Sequence, residues 1–241
     1  MRFTYEAYFN LIQMLHEHRY NIVSYMDWYK YEKSVILRHD IDYNLDKAVE
    51  FAAFENSIGV SSTYFVQITS DMYNPFSKHG RECVKEIISL NHRIGLHFDE
   101  MIYESLDNVQ KHIMNEKNML ESITNGVSVD TVSMHRPSRQ ILDANISLEG
   151  ITNSYGELFF KSIKYISDSR RRWRESIEDI IVNESYDHMQ ILTHAFWYNN
   201  SEMDISDSIR QFVNSANKER YRFLSENITD LESIMREDEI R

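Results

Sequence analysis

Five strand-like runs in this 241-residue chain end in histidine or aspartate. Val35-Ile36-Leu37 leads into His39, Asp40 and Asp42, and Ile94-Gly95-Leu96 leads into His97. Val129 to Met134 leads into His135-Arg136, Lys164 to Ser167 into Asp168, and Met189 to Thr193 into His194. Imidazoles and carboxylates delivered by separate strands to one mouth suit a divalent metal, zinc above all. An open catalytic site needs three protein ligands plus a water whose acidity the metal raises. Asp42, His97 and His135 are the candidate ligands. Asp40 stands two residues from Asp42, and both are expected to face the site only because the backbone is leaving the sheet there. One would bind metal while the other serves as general base or orients a ligand histidine. His194, beside Phe196-Trp197-Tyr198, is placed to protonate a leaving group, and burial among those aromatics would tune its pKa. His39 is a candidate for supporting these groups from behind.

Elements of the right kind lie between these strand ends. Thr4 to His18 carries Tyr8, Leu11, Ile12 and Leu15 at helical spacing. Leu45, Ala48, Val49, Ala52 and Ala53 form a second helical face ending near Gly59, a C-cap candidate. Ser77 can cap a helix bearing Val84, Ile87, Ile88 and Leu90, and another helix runs from Leu106 to Ile123. Strand, polar strand end, helix is the rhythm of parallel strands joined by helical crossovers. In a (β/α) barrel the site is built at the carboxyl ends of the strands, which is where these side chains fall. With two prolines and no Gly/Ser-rich stretch, one domain over residues 1–241 is expected. Its tail, about 206–241, reads as a charge-rich helical extension with apolar positions at Ile209, Phe212, Val213, Phe223, Leu224, Ile228 and Leu231. That extension either packs across the barrel or forms a homodimer contact.

Other residues admit two readings. Asp168 either caps the helix through Trp173 and Ile177 or faces the substrate. Arg170-Arg171-Arg172 with Arg174 is the one dense basic patch, either a solvated helix start or a receiver for a phosphate or carboxylate. Tyr73-Asn74-Pro75-Phe76 either lines the mouth or is an ordinary turn. Trp197 is a candidate substrate contact. Cys83 reads as core packing. His16, His18, His79, His112 and His188 read as surface histidines, and His92 opens a strand at the wrong end. A formal net charge of −12 argues against a nucleic-acid partner, and a single cysteine excludes a disulfide framework or Cys-rich zinc module. Met1-Arg2-Phe3-Thr4-Tyr5-Glu6 has no apolar run of signal-peptide type, and no stretch approaches the roughly 20 apolar residues of a membrane span. A cytoplasmic location is expected.

The stretches Val35 to Asp42, Ser62 to Phe65, Tyr73 to Phe76, Asn91 to Asp99, Met134 to Ser138 and Leu192 to His194 carry a further signal. In this order they resemble the polysaccharide deacetylase superfamily, the NodB-homology domain of carbohydrate esterase family 4. They are most similar to its cytoplasmic WbmS-like branch, found with bacterial surface-polysaccharide gene sets. The resemblance implies a distorted (β/α) barrel of about seven parallel strands and a metal-dependent hydrolase. That enzyme would remove an N-acyl group, usually acetyl, from an amino sugar or a nucleotide-linked sugar. It also implies Asp40 as base, Asp42 and His97 as metal ligands, Arg136 as the group orienting the base, and His194 as acid. Two departures stand out. Ile41 separates the aspartates, which the family has adjacent, and Met101 occupies the second metal-histidine position, where a thioether is a poor ligand. His135 is the expected replacement, with Asp99 and Glu100 as alternatives. A barrel that binds a sugar or partner without turnover is the competing reading. Asp40-Ile41-Asp42 as the Asp-x-Asp element of a nucleotide-sugar glycosyltransferase ranks behind both.

Overall fold

The structure, a computed structural model, describes residues 1–240. The chain divides into two compact units, Met1–Asn200 and Ser201–Arg241, although no linker composition marks the join. In the first unit the elements run α1 (Tyr5–Glu17), β1 (Asn21–Ile22), β2 (Ser34–Ile41), α2 (Leu45–Ser57), β3 (Thr63–Val66), α3 (Lys78–Ser89) and β4 (Arg93–Phe98). They continue α4 (Val109–Glu121), β5 (Thr131–Met134), α5 (Arg139–Asp143), β6 (Thr152–Asn153), β7 (Lys164–Ser167), α6 (Ile177–Val182) and β8 (His188–Thr193). Thr4, Asn44 and Ser77 each accept a backbone N–H as the N-cap of α1, α2 and α3, a contact worth about 1 kcal/mol per helix.

All strand pairings are parallel, in the order β6-β5-β4-β3-β2-β8-β7, with β1 beside β2. This is the parallel barrel-like sheet expected from the strand–helix rhythm. Among the described residues no ladder joins β6 to β7, so the sheet is an open barrel whose interior is bridged by side chains. Gln190 of β8 donates to the carbonyls of Ser154 (3.2 Å) and Phe159 (3.1 Å). Strand β2 lies at the centre, with all eight residues buried. Gly95 sits where a Cβ would fall 2.5 Å from the Phe65 ring and 2.8 Å from Thr131 Oγ1, so only glycine fits beneath that ring. Strands β1 and β6 went unforeseen because two residues carry no periodicity.

In the second unit, α7 (Ile205–Asn227) is one long helix followed by the short α8 (Leu231–Ile234). The Tyr221 hydroxyl donates to the Met235 carbonyl at 2.9 Å, fastening the end of α8 to α7. Of the apolar positions, Leu231 is buried, while Ile209, Val213, Phe223, Leu224 and Ile228 are exposed. No helix among the described residues is long and apolar enough to cross a membrane.

Candidate metal centre and catalytic groups

Side chains alternate along a strand, so residues two apart share a face. Asp40 within β2 and Asp42 one residue past its end therefore reach the same cavity with no departure from the sheet, and Arg38, on the same face, is buried beneath it. The expectation that both aspartates needed such a departure had the alternation reversed. His39 falls on the opposite face. Register does the rest, pairing Asp40 with Phe65, and His97 with Ser133. The result is a cavity of about 650 Å³ at the carboxyl ends of the strands, lined by Asp40, Asp42, His97, His135 and His194 among others.

Three donors form a compact triangle. Asp42 Oδ1 lies 3.1 Å from His97 Nε2 and 3.3 Å from His135 Nδ1, and the two nitrogens are 3.1 Å apart. Bonds of about 2.0–2.1 Å to a tetrahedral zinc imply donor–donor edges near 3.3 Å, so the triangle fits a borderline divalent cation. Burial alone would raise the Asp42 pKa, but hydrogen bonds to His135 and His97 hold it well below the ordinary carboxylate range. His97 Nδ1 is buried with no hydrogen-bond partner.

Asp40 belongs to a different environment. Arg38, wholly buried, donates through Nη2 to Asp40 Oδ2 (2.7 Å) and through Nε to Oδ1 (3.3 Å). The same guanidinium reaches Ser133 Oγ (2.5 Å) and Ser154 Oγ (2.7 Å), and lies 5.0 Å from the centres of the Phe65 and Tyr155 rings. Burial pushes the Asp40 pKa up, and Arg38 overrides it to leave the group ionised. Asp40 Oδ2 is 3.9 Å from His97 Nε2, at the edge of the triangle.

His194 lies on the other side, its Nε2 3.7 Å from Asp42 Oδ2. Its Nδ1 meets Asp168 Oδ1 at 2.5 Å, and its backbone N–H donates to Asp168 Oδ2 at 3.1 Å. Burial would lower the His194 pKa, but Asp168, with Asp42 and Asp40 behind it, raises it to about 9. The imidazolium therefore persists at neutral pH and above.

Several expected site residues sit elsewhere. Arg136 is 73% exposed and pairs with Asp99 at 3.4 Å, while the guanidinium on Asp40 is Arg38. Asp168 neither caps a helix nor meets solvent, because it is fully buried under His194. Tyr73 donates to the Ile41 carbonyl (2.7 Å) and accepts from Gln67 N–H (2.9 Å), fixing the end of β2 instead of lining the cavity. Asn74 accepts from Phe76 N–H at 2.9 Å and builds the following turn. Met101 is 71% exposed, Asp99 accepts from Met101 N–H, and Glu100 accepts from Ser138, so none joins the triangle. Arg170 and Trp197 do line the cavity, with Arg174 and Arg136. His39 bridges Thr193 Oγ1 (2.6 Å) and Glu55 Oε1 (2.9 Å) on the far face of β2. There Glu55 also accepts from Tyr8, Ser62 and Tyr64, and its pKa is held at about 2. His92 is buried too, accepting the Ser62 N–H at Nδ1 and donating from Nε2 to the Ala52 carbonyl.

No protein-family model and no curated protein matches the sequence. Among solved structures, the chain is similar to a carbohydrate esterase family 4 pseudoenzyme from Bacillus anthracis, at 14% identity and a TM-score of 0.46, over 76% of this chain and 62% of that one. It is similar to the peptidoglycan deacetylase PdaC from Bacillus subtilis at 14% identity and TM-score 0.45, over 82% and 98% of the two chains. It is also similar to the chitin deacetylase from the fungal pathogen Colletotrichum lindemuthianum at 12% identity and TM-score 0.46, over 75% and 81%. This chain spans less than two thirds of the pseudoenzyme's length. At such distances the chemistry has to rest on this chain's own residues.

Proposed function

We propose that the chain is a divalent-metal hydrolase that removes an N-acyl group, acetyl in the simplest case, from an amino-sugar derivative. One observation carries the reading: the Asp42–His97–His135 triangle is flanked by an ionised carboxylate, Asp40, and by an imidazolium, His194. A cation bound by the triangle supplies Lewis acidity toward an amide carbonyl and a nearby water. Asp40 accepts a proton from that water, with Arg38 fixing the carboxylate in one orientation. His194, held by Asp168, gives its Nε2 proton to the departing nitrogen as the C–N bond breaks. Convergence of His135 with Asp42 and His97 supports turnover over binding alone, since it fills the place left by Met101.

The mouth supports a charged substrate. Arg170 and Arg174 line it with no carboxylate in ion-pair range among the described residues, in a chain with 38 acidic side chains. A phosphate or carboxylate on the sugar, as in a nucleotide-linked sugar, would give these guanidinium groups their partner. Trp197 and Tyr43 line the same mouth, packed edge to face with ring centres 6.2 Å apart, and add apolar surface beside the arginines. The resemblance in sequence to the cytoplasmic branch supports a soluble precursor of bacterial surface polysaccharide as the substrate, and zinc as the metal. The test is acetate release from N-acetylated amino sugars in free, phosphorylated and nucleotide-linked forms, using protein reloaded with Zn2+ or Co2+. Turnover that Asp42→Asn abolishes is expected. Absence of turnover across that panel with metal bound would overturn the proposal.

A further inference from the structure

A second triad of possible ligands stands apart from the cavity, where the first turn of α2 meets α3. His79 and Cys83 lie four residues apart on one face of α3, and Asp46 lies in the first turn of α2. His79 Nε2 is 2.8 Å from Asp46 Oδ1 and 3.6 Å from Cys83 Sγ, and Sγ is 3.9 Å from Oδ1. From the structure we infer that these three side chains form a second divalent-cation site, of the borderline type that takes thiolate, imidazole and carboxylate together.

The same residue types could instead make a nucleophilic thiol with its base and orienting acid. That arrangement needs the two ring nitrogens of the histidine to face different partners. Here one nitrogen, Nε2, faces both the sulfur and the carboxylate, so three donor atoms converge on one point. Bonds of about 2.3 Å to sulfur and 2.0–2.1 Å to nitrogen or oxygen imply tetrahedral edges near 3.6 Å from sulfur and 3.3 Å between nitrogen and oxygen. The sulfur edges are already close to that. The Asp46–His79 edge must open by about half an ångström, and both side chains are more than half exposed and free to do so.

The backbone beneath is rigid. A Cβ on Gly80 would fall 2.2 Å from the Asn74 carbonyl oxygen, so the first turn of α3 is locked against the preceding loop. A cation here ties α2 to α3 four residues beyond Asp42, with a fourth position open to solvent. Binding converts the Cys83 S–H to a thiolate and releases its proton to the buffer. The inference is independent of the proposed hydrolase activity.

Cobalt titration of the chelator-stripped full chain tests it. Cys83 is the only cysteine in the sequence, so a near-ultraviolet thiolate-to-cobalt charge-transfer band can have no other source. Two Co2+ per chain and such a band are expected. Cys83→Ser should lose the band and one equivalent, whereas Asp42→Asn should lose the other equivalent and keep the band. His79→Ala, an exposed position with no core packing to lose, should weaken the band-forming site by more than the roughly 10–100-fold that loss of a supporting group costs. No thiolate band at saturating cobalt, or a band whose affinity His79→Ala leaves unchanged, would overturn the inference.

Discussion

Replacing Arg38 by methionine is the sharpest perturbation of the site's electrostatics. Arg38 is the guanidinium paired with Asp40, and both side chains are buried. Removing one partner of a buried pair leaves an uncompensated charge, a cost of about 3–5 kcal/mol. At the roughly 2–4 °C per kcal/mol typical of a unit of this size, Tm should fall by about 6–20 °C at neutral pH. The pH dependence identifies the cause. In the wild type, Arg38 holds the Asp40 pKa below its ordinary value of 3.8, so the pair's stabilisation is present above that value and lost as pH falls through the lower folded pKa. In Arg38→Met, burial is opposed only by the weaker pull of His97 and His194, so the folded pKa rises from its wild-type position. The variant's deficit should then be larger at pH 7 than at pH 4.5, because protonation of Asp40 removes the uncompensated charge as pH falls. Urea unfolding at the two pH values measures this, with Asp40→Asn and the double variant completing a cycle. The double variant, lacking both charges, should be more stable than Arg38→Met alone. A deficit independent of pH, or a double variant that merely adds the two single losses, would refute the assignment of Arg38 as the counter-ion of Asp40.

Asp168→Asn removes the carboxylate that does most to raise His194 against its burial, so the pKa should drop from about 9, with Asp42 and Asp40 left to hold up what remains. The imidazole proton resonances followed by NMR against pH would show it. In the wild type this pair's contribution to stability is full below pH 6.5 and is lost as pH rises through about 9. Glu116 is buried beside the Tyr103 hydroxyl, which donates to it at 2.7 Å, and burial raises its pKa to about 7. Its stability contribution is full below 4.5 and is lost through pH 7, so Glu116→Gln should stabilise the protein at pH 8 by up to about 3 kcal/mol in urea unfolding. Gly95→Ala would drive a methyl into the Phe65 ring and should cost about 1–3 kcal/mol, read as a lower Tm.

Most of this site could be seen in the sequence as strand ends, because a parallel strand that stops in His or Asp leaves the pattern of a buried apolar run. Asp42, His97, His135 and His194 were all legible that way. Arg38 was not given a role, although it stands two residues before Asp40 and the two-residue period of a strand puts it on the same face. An arginine in an otherwise apolar run was the available signal. Asp168 was visible as a strand-end acid, but its burial beneath His194 depends on the β7–β8 ladder, a long-range pairing no local pattern reports. Glu55 was invisible for a different reason. It occupies a core-facing helical position that periodicity assigns to an apolar side chain, and it is tolerated there only because His39, Tyr8, Tyr64 and Ser62 converge on it.

The proposed use of His135, and not position 101, for the third donor has a structural reason that can be tested. His135 follows the last residue of β5, and its N–H donates to the Phe98 carbonyl at 2.7 Å, extending the sheet's bonding by one residue. That bond sets the imidazole beside His97, with the two ring centres 4.9 Å apart and the planes at 82°. Position 101 lies on the short turn Glu100–Ile102, whose start is fixed by Asp99 accepting from Met101 N–H, and its side chain faces solvent. A histidine there could reach the triangle only if that turn rearranged and the Asp99 bond broke. His135→Ala should therefore abolish cobalt binding at the Asp42 site, and adding Met101→His to it should not restore binding. Restored affinity in that double variant, measured by calorimetry with Cys83→Ser in the background to silence the other site, would show that the turn is adaptable and that sheet register is not what chose the third ligand.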